Sequence, residues 1–279
     1  MQLESIEALT KFRTDCGSKT VGFVPTMGAL HAGHQSLIQL AANHCDVVIV
    51  SIFVNPTQFA PHEDFDQYPR ELDDDLNKCI KWGANAIFTP QTNDVYPEST
   101  SANYTPSPNI AEIMCGKTRP HFFYGVCNVV ERLFALVNPT HAFFGDKDLQ
   151  QRVIIERMVN DLALDINIIA APIVRDENGM ALSSRNQYLD NVQYKKSLAI
   201  FKTLHDASIK ARDLDWDSYQ VRQFVAAQIE ARGLRGDYVE IFRPSTGEIV
   251  SGHLNNGDYC CVAVFCGETR LIDNRKLNI

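Results

Sequence analysis

The feature that most constrains this chain is the stretch VGFVPTMGALHAGH at residues 21–34, where a buried strand runs into a helix through a glycine turn. Val21, Phe23 and Val24 form the apolar run of the strand. Pro25 is expected to end that strand, because proline has no N–H for a β-ladder. The helix that follows directs unpaired N–H groups and the positive end of its dipole at the turn, which favours an anion such as phosphate.

Two histidines lie at the start of that helix. His31 and His34 are three residues apart, so both lie on one side of the first helical turn. Such a pair could also be two ordinary surface histidines or part of a zinc site. A zinc site of the H-E-x-x-H kind would need a third ligand and a glutamate that are missing here. The glycines around both histidines favour the phosphate interpretation.

Apolar strands alternate with helical segments through the first part of the chain. Strands are predicted at residues 46–54, 86–89, 141–144 and 165–171, and helices at residues 71–82, 125–137 and 147–159. This alternation predicts an α/β fold with a Rossmann-like parallel sheet covered on both faces. Ligands bind beyond the carboxyl ends of such strands, where the loops PTMGALHAGH, NPTQF and FGDKDLQQ follow predicted strands. Residues 91–109 are predicted to be a loop.

The second part of the chain has a different pattern. Two amphipathic helices, at residues 192–212 and 218–232, precede several short strands separated by glycine turns. Helices grouped before strands indicate a smaller α+β domain. We therefore expect a nucleotide-binding domain at residues 1–173 and a smaller C-terminal domain at residues 174–279.

Composition narrows the class of protein. A formal net charge of −8 argues against a general nucleic-acid binder, which would show a basic face. The N-terminus lacks a basic segment followed by an apolar run, and no apolar stretch of about 18 residues occurs. The sequence contains eight cysteines but no C-x-x-C pair, which predicts reduced, buried thiols. We expect a cytoplasmic protein with neither a nucleic-acid nor a membrane partner.

Further polar residues follow the predicted strands. Lys147 opens a helix, where a cation is unfavourable unless an anion lies nearby, so it predicts a phosphate contact. Asp148 is suited either to a ribose hydroxyl or to a helix cap. Gln58 and Gln151 carry both a donor and an acceptor, which suits hydroxyl and carboxylate groups.

Two later segments allow phosphate interpretations of different strength. Leu182, Ser183, Ser184 and Arg185 combine hydroxyls with a guanidinium, which predicts either a phosphate clamp or a surface loop. The segment AEIMCGKT at residues 111–118 loosely resembles a Walker A loop. Prolines before and after it are incompatible with the strand and helix that such a loop requires.

With PTMGALHAGH, FVNPTQF, FGDKDLQQ and VRDENGMALSSRN in this order, the sequence closely resembles the pantothenate synthetase (pantoate–β-alanine ligase) family. The motifs NDVYP, RLFALV, DYVEI and TRLIDN extend the resemblance over nearly the whole chain. The first motif resembles the H-x-G-H signature of nucleotidylyltransferases and class I aminoacyl-tRNA synthetases.

The resemblance implies a two-step ligation. The carboxylate of pantoate attacks the α-phosphate of ATP, which gives pantoyl adenylate and pyrophosphate. The amine of β-alanine then attacks the acyl carbon, which gives pantothenate and AMP. The resemblance also implies Mg²⁺ with the nucleotide, although no protein ligand set for a metal is evident, and a homodimer.

The resemblance implies roles for particular residues. His34 is expected to donate a proton or stabilise charge, and His31, Lys147 and Arg185 are the other expected catalytic residues. Gln58 and Gln151 are expected to hold pantoate, with Gln58 also near β-alanine. The expected ATP-binding residues are Met27, Gly28, Ala29, Leu30, His31, Ala32, Gly33, His34, Gly145, Asp146, Lys147, Asp148, Val174, Leu182, Ser183, Ser184 and Arg185.

Departures from the family pattern and two alternatives also bear on these expectations. The family shows R-P-x-H-F-x-G-V, whereas His121 stands one position closer to the N-terminus, so no role is carried over to it. Leu182 replaces a methionine, and Asp146 and Leu149 replace glutamate and tyrosine.

A simple nucleotidylyltransferase would use the same histidines, but the two glutamines and the lack of a basic cluster for a phosphorylated acceptor disfavour it. A non-catalytic nucleotide-binding module is a third class.

Overall fold

The structure is a computed structural model that describes residues 1–59, 65–97 and 103–279. The strands are β1 (Gln2–Leu3), β2 (Val21–Thr26), β3 (Val47–Ile52), β4 (Ala86–Phe88), β5 (His141–Gly145), β6 (Asn167–Ala171), β7 (Arg235–Arg243), β8 (Glu248–Ile249), β9 (Tyr259–Cys266) and β10 (Thr269–Lys276). The α-helices are α1 (Ile6–Cys16), α2 (Ala32–His44), α3 (Leu72–Trp82), α4 (Thr92–Val95), α5 (Pro108–Ala111), α6 (Cys115–Thr118), α7 (Phe122–Val137), α8 (Leu149–Asp161), α9 (Asn191–Asp213) and α10 (Ser218–Ala231). Short 3₁₀ turns occupy Pro56–Gln58, Asp146–Asp148 and Ser184–Tyr188.

The chain divides into two compact units, each built from more than one segment. The first unit consists of Met1–Ser107, Arg119–Asp146 and Ile154–Pro172. The second unit consists of Pro108–Thr118, Lys147–Val153 and Ile173–Ile279. Two short segments from the first part of the sequence therefore belong with the C-terminal segment, which the sequence did not reveal.

The first unit contains a six-stranded parallel sheet in the order β1-β4-β3-β2-β5-β6. After β2 the sheet grows to one side through β3 and β4, and then to the other side through β5 and β6. In open α/β sheets, ligands bind at the carboxyl ends of the strands that flank such a reversal. The turn after β2 and the end of β5 lie at this point. The predicted parallel α/β fold is confirmed.

The core of the first unit explains why these segments fold as they do. Apolar side chains of β2, β3 and β4 pack against α2 and α3, with Val24, Ile38, Val50, Cys79 and Ile87 all buried. The predicted helix at residues 71–82 is confirmed and ends at Gly83, which has the left-handed conformation that suits a glycine C-cap.

The second unit contains an antiparallel sheet in the order β10-β9-β7-β8, covered by α9 and α10. Leu204, Val225 and Val262 are among the residues of its core, so the helices bury their apolar faces on the sheet. The prediction of a smaller α+β part is confirmed. All eight cysteines of the chain carry free thiols, seven of them buried. Among the described residues, no helix has both the length and the apolar character needed to cross a membrane.

The prediction that Pro25 ends its strand is wrong, because β2 continues to Thr26. Thr26 O accepts a hydrogen bond from Phe53 on the β3 side, whereas Val21 O accepts one from Thr140 on the β5 side. Pro25 therefore faces the β5 side, since alternate residues of a strand face opposite neighbours. Pairing with β5 ends at Phe23, so the missing N–H removes no bond from the ladder.

Two other local predictions need correction, and two elements were not predicted. The predicted loop at residues 91–109 contains α4 and the start of α5, while its residues 98–102 lie outside the described residues. Asp94 forms the single turn of α4 by accepting a hydrogen bond from Gln91 N at 2.8 Å. The helix predicted from residue 147 begins at Leu149, because the preceding residues form a 3₁₀ turn. Strand β1 and helix α1 were not predicted.

Candidate active site

The two histidines cap the helix that they introduce. His31 is the N-cap residue of α2, and its Nδ1 accepts a hydrogen bond from Gly33 N at 3.1 Å. In return, His34 Nδ1 accepts one from His31 N at 3.2 Å. This is the reciprocal pattern of a capping box, in which two histidines replace the usual serine and glutamate. The ring centroids are 4.2 Å apart.

The caps determine which ring nitrogens carry hydrogen. Each Nδ1 accepts from a backbone N–H, so it must present a lone pair. Each neutral ring therefore carries its hydrogen on Nε2. Protonation of either Nδ1 would break a cap at the positive end of the helix dipole. The site thus offers two Nε2–H donors at a helix N-terminus, which suits phosphate oxygens.

Asp75 holds the turn in front of the histidines and was not predicted from the sequence. Its side chain, in a residue only 1% exposed, accepts hydrogen bonds from Ala29 N and Leu30 N, each at 2.8 Å. Burial raises the pKa of Asp75, and these two hydrogen bonds oppose that rise. Gly28, with φ of 82°, lies so close that a Cβ there would be 2.9 Å from Asp75 Oδ2. In the sequence, LDDDL resembles an ordinary acidic first turn, but the position of Asp75 four residues before the apolar Cys79 was an available indication of burial.

Gln58 lies in the 3₁₀ turn that follows β3, and a buried asparagine holds this turn. Asn55 is 0% exposed. Its Nδ2 donates to Gln58 Oε1 at 3.0 Å and to Gly125 O at 3.2 Å. Its Oδ1 accepts from Thr57 N at 3.2 Å and from the Tyr96 hydroxyl at 2.7 Å. Gln58 was predicted from the sequence as a site residue, whereas Asn55 was not.

The second unit contains Lys147 and the two neighbouring glutamines. Lys147 O accepts a hydrogen bond from Asn274 Nδ2 at 3.1 Å, and Lys147 Nζ lies 3.7 Å from Asp148 Oδ2. Gln150 is buried, and its amide group bonds the backbone of Ile110, Ile113 and Cys115. Gln150 is therefore structural. Gln151, which was predicted from the sequence as a substrate-binding glutamine, is partly exposed.

Val174 and Leu182 meet across a short hairpin in the second unit. Leu182 N donates to Val174 O at 3.0 Å, and Arg175 pairs with Ala181. The Arg175 guanidinium binds both carboxylate oxygens of Asp273, at 2.7 and 2.8 Å. The hairpin is thereby joined to β10.

The hairpin turn is closed by Asp176. Its Oδ1 accepts from Asn178 N and Met180 N at 2.9 Å, and its Oδ2 accepts from the Tyr194 hydroxyl at 2.5 Å. Burial alone would raise the pKa of Asp176, but these hydrogen bonds outweigh burial and hold it below its usual range. Gly179, with φ of 93°, completes the turn, and a Cβ at that position would collide with the ring of Phe201.

The serine–arginine segment follows the hairpin. Ser183 is the N-cap of the 3₁₀ turn Ser184–Tyr188, and its hydroxyl accepts from Arg185 N at 3.3 Å. The structure thus brings His31 together with His34, and Val174 together with Leu182. The expected site residues from Met27 to Asp146 belong to the first unit, and those from Lys147 to Arg185 belong to the second.

A sequence profile described as Pantoate-beta-alanine ligase matches residues 2–276. The chain belongs to this family. Its similarity to individual members extends over almost its full length. It is 42% identical over 276 residues to a pantothenate synthetase of Pelotomaculum thermopropionicum, and this match covers 98% of this chain and 97% of the relative. It is 40% identical over 274 residues to a pantothenate synthetase of Thermosipho africanus, which covers 98% of both chains.

Solved structures agree with the sequence comparison. The crystal structure of pantothenate synthetase from Thermus thermophilus matches with a TM-score of 0.92 at 35% identity, covering 100% of this chain and 99% of the other. A pantoate-β-alanine ligase from Francisella tularensis, complexed with β-γ ATP and β-alanine, matches with a TM-score of 0.82 at 33% identity, covering 99% and 97%. The protein is a ligase that joins pantoate to β-alanine in an ATP-dependent reaction.

Two further features of this pantoate–β-alanine ligase concern potential metal ligands and the displaced histidine. Within residues 1–59, 65–97 and 103–279, no group of three or more His, Cys, Asp or Glu side chains could hold a metal ion. Asp75 bonds backbone N–H groups with both oxygens, and Asp74 pairs with Lys78. Mg²⁺ keeps several waters and binds readily through substrate phosphates, so it needs no protein cage. His121 precedes α7 with φ of 75° and makes no side-chain cap.

Proposed function

We propose that this ligase works through a pantoyl-adenylate intermediate. The pantoate carboxylate attacks the α-phosphate of ATP and releases pyrophosphate. The β-alanine amine then attacks the acyl carbon, which gives pantothenate and AMP. The observation that carries the proposal is the reciprocal capping of His31 and His34, since it fixes two Nε2–H donors at a helix N-terminus. Groups in such positions stabilise charge on phosphate oxygens as the transition state forms.

The ATP-binding residues have complementary chemical roles in this proposal. His34 donates to the phosphate at which pantoate attacks, with His31 beside it. Lys147 adds a point charge, and Arg185 can bind two phosphate oxygens at once. The remaining expected residues provide backbone and hydroxyl contacts to the nucleotide: Met27, Gly28, Ala29, Leu30, Ala32, Gly33, Gly145, Asp146, Asp148, Val174, Leu182, Ser183 and Ser184.

The acid substrates require different groups. Gln58 and Gln151 bind pantoate through their amides, and Gln58 also lies near β-alanine. Neutral amides suit this task because pantoate presents both hydroxyl and carboxylate oxygens. Mg²⁺ enters with ATP and is bound mainly through the phosphates. A homodimer and a cytoplasmic location complete the proposal on the basis of family resemblance.

Isotope exchange tests the intermediate. Labelled pyrophosphate should enter ATP only when pantoate is present, and β-alanine should not be required. AMP should accumulate only when ATP, pantoate and β-alanine are all supplied. Pyrophosphate exchange without pantoate, or AMP release that does not depend on β-alanine, would contradict the adenylate pathway.

The His34→Gln substitution separates catalysis from helix capping. Glutamine at this third helical position keeps the cap, because Gln193 and Gln220 accept N-cap hydrogen bonds at 3.0 Å in α9 and α10. The ring Nε2–H is lost, so turnover should fall by about 10²-fold while the melting temperature changes little. His44→Gln, in the last turn of the same helix, is the matched control and should leave turnover unchanged. Unchanged turnover in His34→Gln would refute the role of His34.

A further inference from the structure

The turn that carries Gln58 contains a hydrogen-bond network in which the orientation of the Asn55 amide can be assigned. Asn55 Oδ1 accepts from Thr57 N, and Asn55 Nδ2 donates to Gly125 O. A backbone N–H can only donate and a backbone carbonyl can only accept. The orientation of the Asn55 amide is therefore fixed at both ends by the main chain.

This orientation determines that of Gln58. Because Asn55 Nδ2 is a donor, the Gln58 atom 3.0 Å away must be the acceptor Oε1. The opposite end of the Gln58 amide is then its Nε2–H₂ group. Gln58 thus offers two N–H donors to a ligand, which suits the carboxylate or hydroxyl oxygens of an organic acid. With the amide reversed, it would offer an acceptor and repel a carboxylate.

Tyr96 completes the network from another part of the chain. Its hydroxyl donates to Asn55 Oδ1 at 2.7 Å, whereas the other hydrogen bonds of the Asn55 side chain, including one from Thr57 Oγ1 to Oδ1, measure 3.0 to 3.2 Å. Burial raises the pKa of Tyr96, so the hydroxyl keeps its proton at neutral pH and remains a donor.

Tyr96 is itself held in place from two sides. Its ring packs against Phe53 with centroids 6.2 Å apart. The preceding residue, Val95, accepts a hydrogen bond from Arg132 Nε at 3.0 Å. Gly125 allows α7 to approach, because a Cβ there would collide with Thr57 O. Removal of the Tyr96 hydroxyl therefore leaves its ring in place. It removes the hydrogen bond to Asn55 and the 3.3 Å contact with Thr57 Oγ1, a group that itself donates to Asn55 Oδ1 at 3.0 Å.

We propose that Tyr96 is a positioning residue for pantoate binding. Tyr96 acts through Asn55 and keeps the Gln58 amide oriented with its N–H₂ group available to the substrate. The inference rests on the proposed role of Gln58 in binding pantoate. Tyr96 itself does not need to touch the substrate. The main chain selects the orientation of the Asn55 amide, and the shorter Tyr96 hydrogen bond holds Asn55 more firmly in it. A less firmly held Asn55 restrains the Gln58 amide less, so that Gln58 loses part of its affinity for the substrate.

The Tyr96→Phe substitution tests this inference in the whole enzyme. The KM for pantoate should rise by about threefold to tenfold, as expected for the loss of one buried hydrogen bond that orders a ligand-binding group. The kcat and the KM for ATP should stay unchanged. A purely structural defect would instead lower the amount of active enzyme, and with it the apparent kcat, without changing the KM for pantoate.

A double-mutant cycle with Gln58→Ala shows whether Tyr96 acts through Gln58. If it does, Tyr96→Phe should cause no further rise in the KM for pantoate once Gln58 is alanine. Additive effects would overturn the inference. If Gln58→Ala raises the KM but Tyr96→Phe does not, the inference alone fails. If Gln58→Ala has no effect, the proposed role of Gln58 fails, and the inference with it.

Tyr104→Phe provides the matched control. The Tyr104 hydroxyl also makes a side-chain hydrogen bond in the first unit, but its partner is Asp161 Oδ2 at 3.1 Å, outside the Gln58 turn. The same chemical change should leave the KM for pantoate unchanged. An equal rise of the KM in Tyr104→Phe would show that the effect is not specific to Asn55 and Gln58, and would overturn the inference.

Discussion

At the scale of single residues, Gly33 decides whether the histidine cap can form. A Cβ at Gly33 would lie 2.8 Å from His31 Cε1 and 2.9 Å from His31 Nδ1. These distances are too short for a stable contact, so the ring would have to leave the position in which it caps α2. The absence of a Cβ at Gly33 thus allows the His31 ring to keep the orientation in which it caps α2.

Gly33→Ala should therefore separate activity from stability. Loss of an N-cap costs about 1 kcal/mol, and the better helix propensity of alanine returns up to about 1 kcal/mol. The melting temperature should change little, whereas turnover should fall by about tenfold because one phosphate donor is displaced. Gly236→Ala is a suitable control, since no atom lies within 4 Å of a Cβ at that position. Full activity in Gly33→Ala would show that the cap does not position His31.

At the scale of elements, the hairpin at residues 174–182 depends on one carboxylate. Hydrogen bonds to Asp176 hold its pKa below the usual range despite burial. The folded state therefore releases this proton more readily than the unfolded state does. The resulting stabilisation is complete above the unfolded pKa of about 3.9 and is lost as the pH falls through the lower folded value.

Asp176→Asn tests this pH dependence, because asparagine keeps an acceptor for the turn but cannot ionise. The free energy of unfolding of the wild type should exceed that of the variant at about pH 6, and the difference should narrow as the pH is lowered to about 3. Denaturant titrations at several pH values measure it. Asp213→Asn, which alters an exposed carboxylate paired with Arg212, is the control. A difference in the free energy of unfolding that stays constant with pH would contradict the assigned role of Asp176.

The elements also show what the sequence could and could not predict. Helix α9 was predicted at residues 192–212 and spans Asn191–Asp213, because its periodicity and its Asp190 cap are local. Asp75 bonds Ala29 across 46 residues, and Tyr96 bonds Asn55 across 41 residues. A local pattern gives no information about such distant partners. Sequence motifs identified the residues that are expected to contact substrates, and the roles of these residues stay predictions. The motifs did not identify the residues that hold them in place.

At the scale of the whole molecule, the second unit is not continuous in sequence. The backbone of Pro108–Thr118 is joined by Gln150 to Lys147–Val153, and both segments reach the antiparallel sheet. Cys115 Sγ lies 3.3 Å from the Tyr238 hydroxyl, and Thr118 Oγ1 donates to Asp237 Oδ2 at 3.2 Å. The linear division predicted at residue 173 therefore does not describe the complete folding unit.

A fragment of residues 173–279 should consequently be less stable than the same residues in the full chain. Without the two earlier segments, Tyr238 loses the residues that cover it in the full chain, where burial holds its pKa well above the ordinary value. The sheet also loses the hydrogen bond from Asn274 to Lys147 O. Amide hydrogen exchange in β7 and β10 should be faster in the fragment. Addition of a fragment of residues 1–172, which contains both segments, should restore part of the protection. Equal protection in the isolated fragment would show that the C-terminal segment folds independently and that the two earlier segments only bind to its surface.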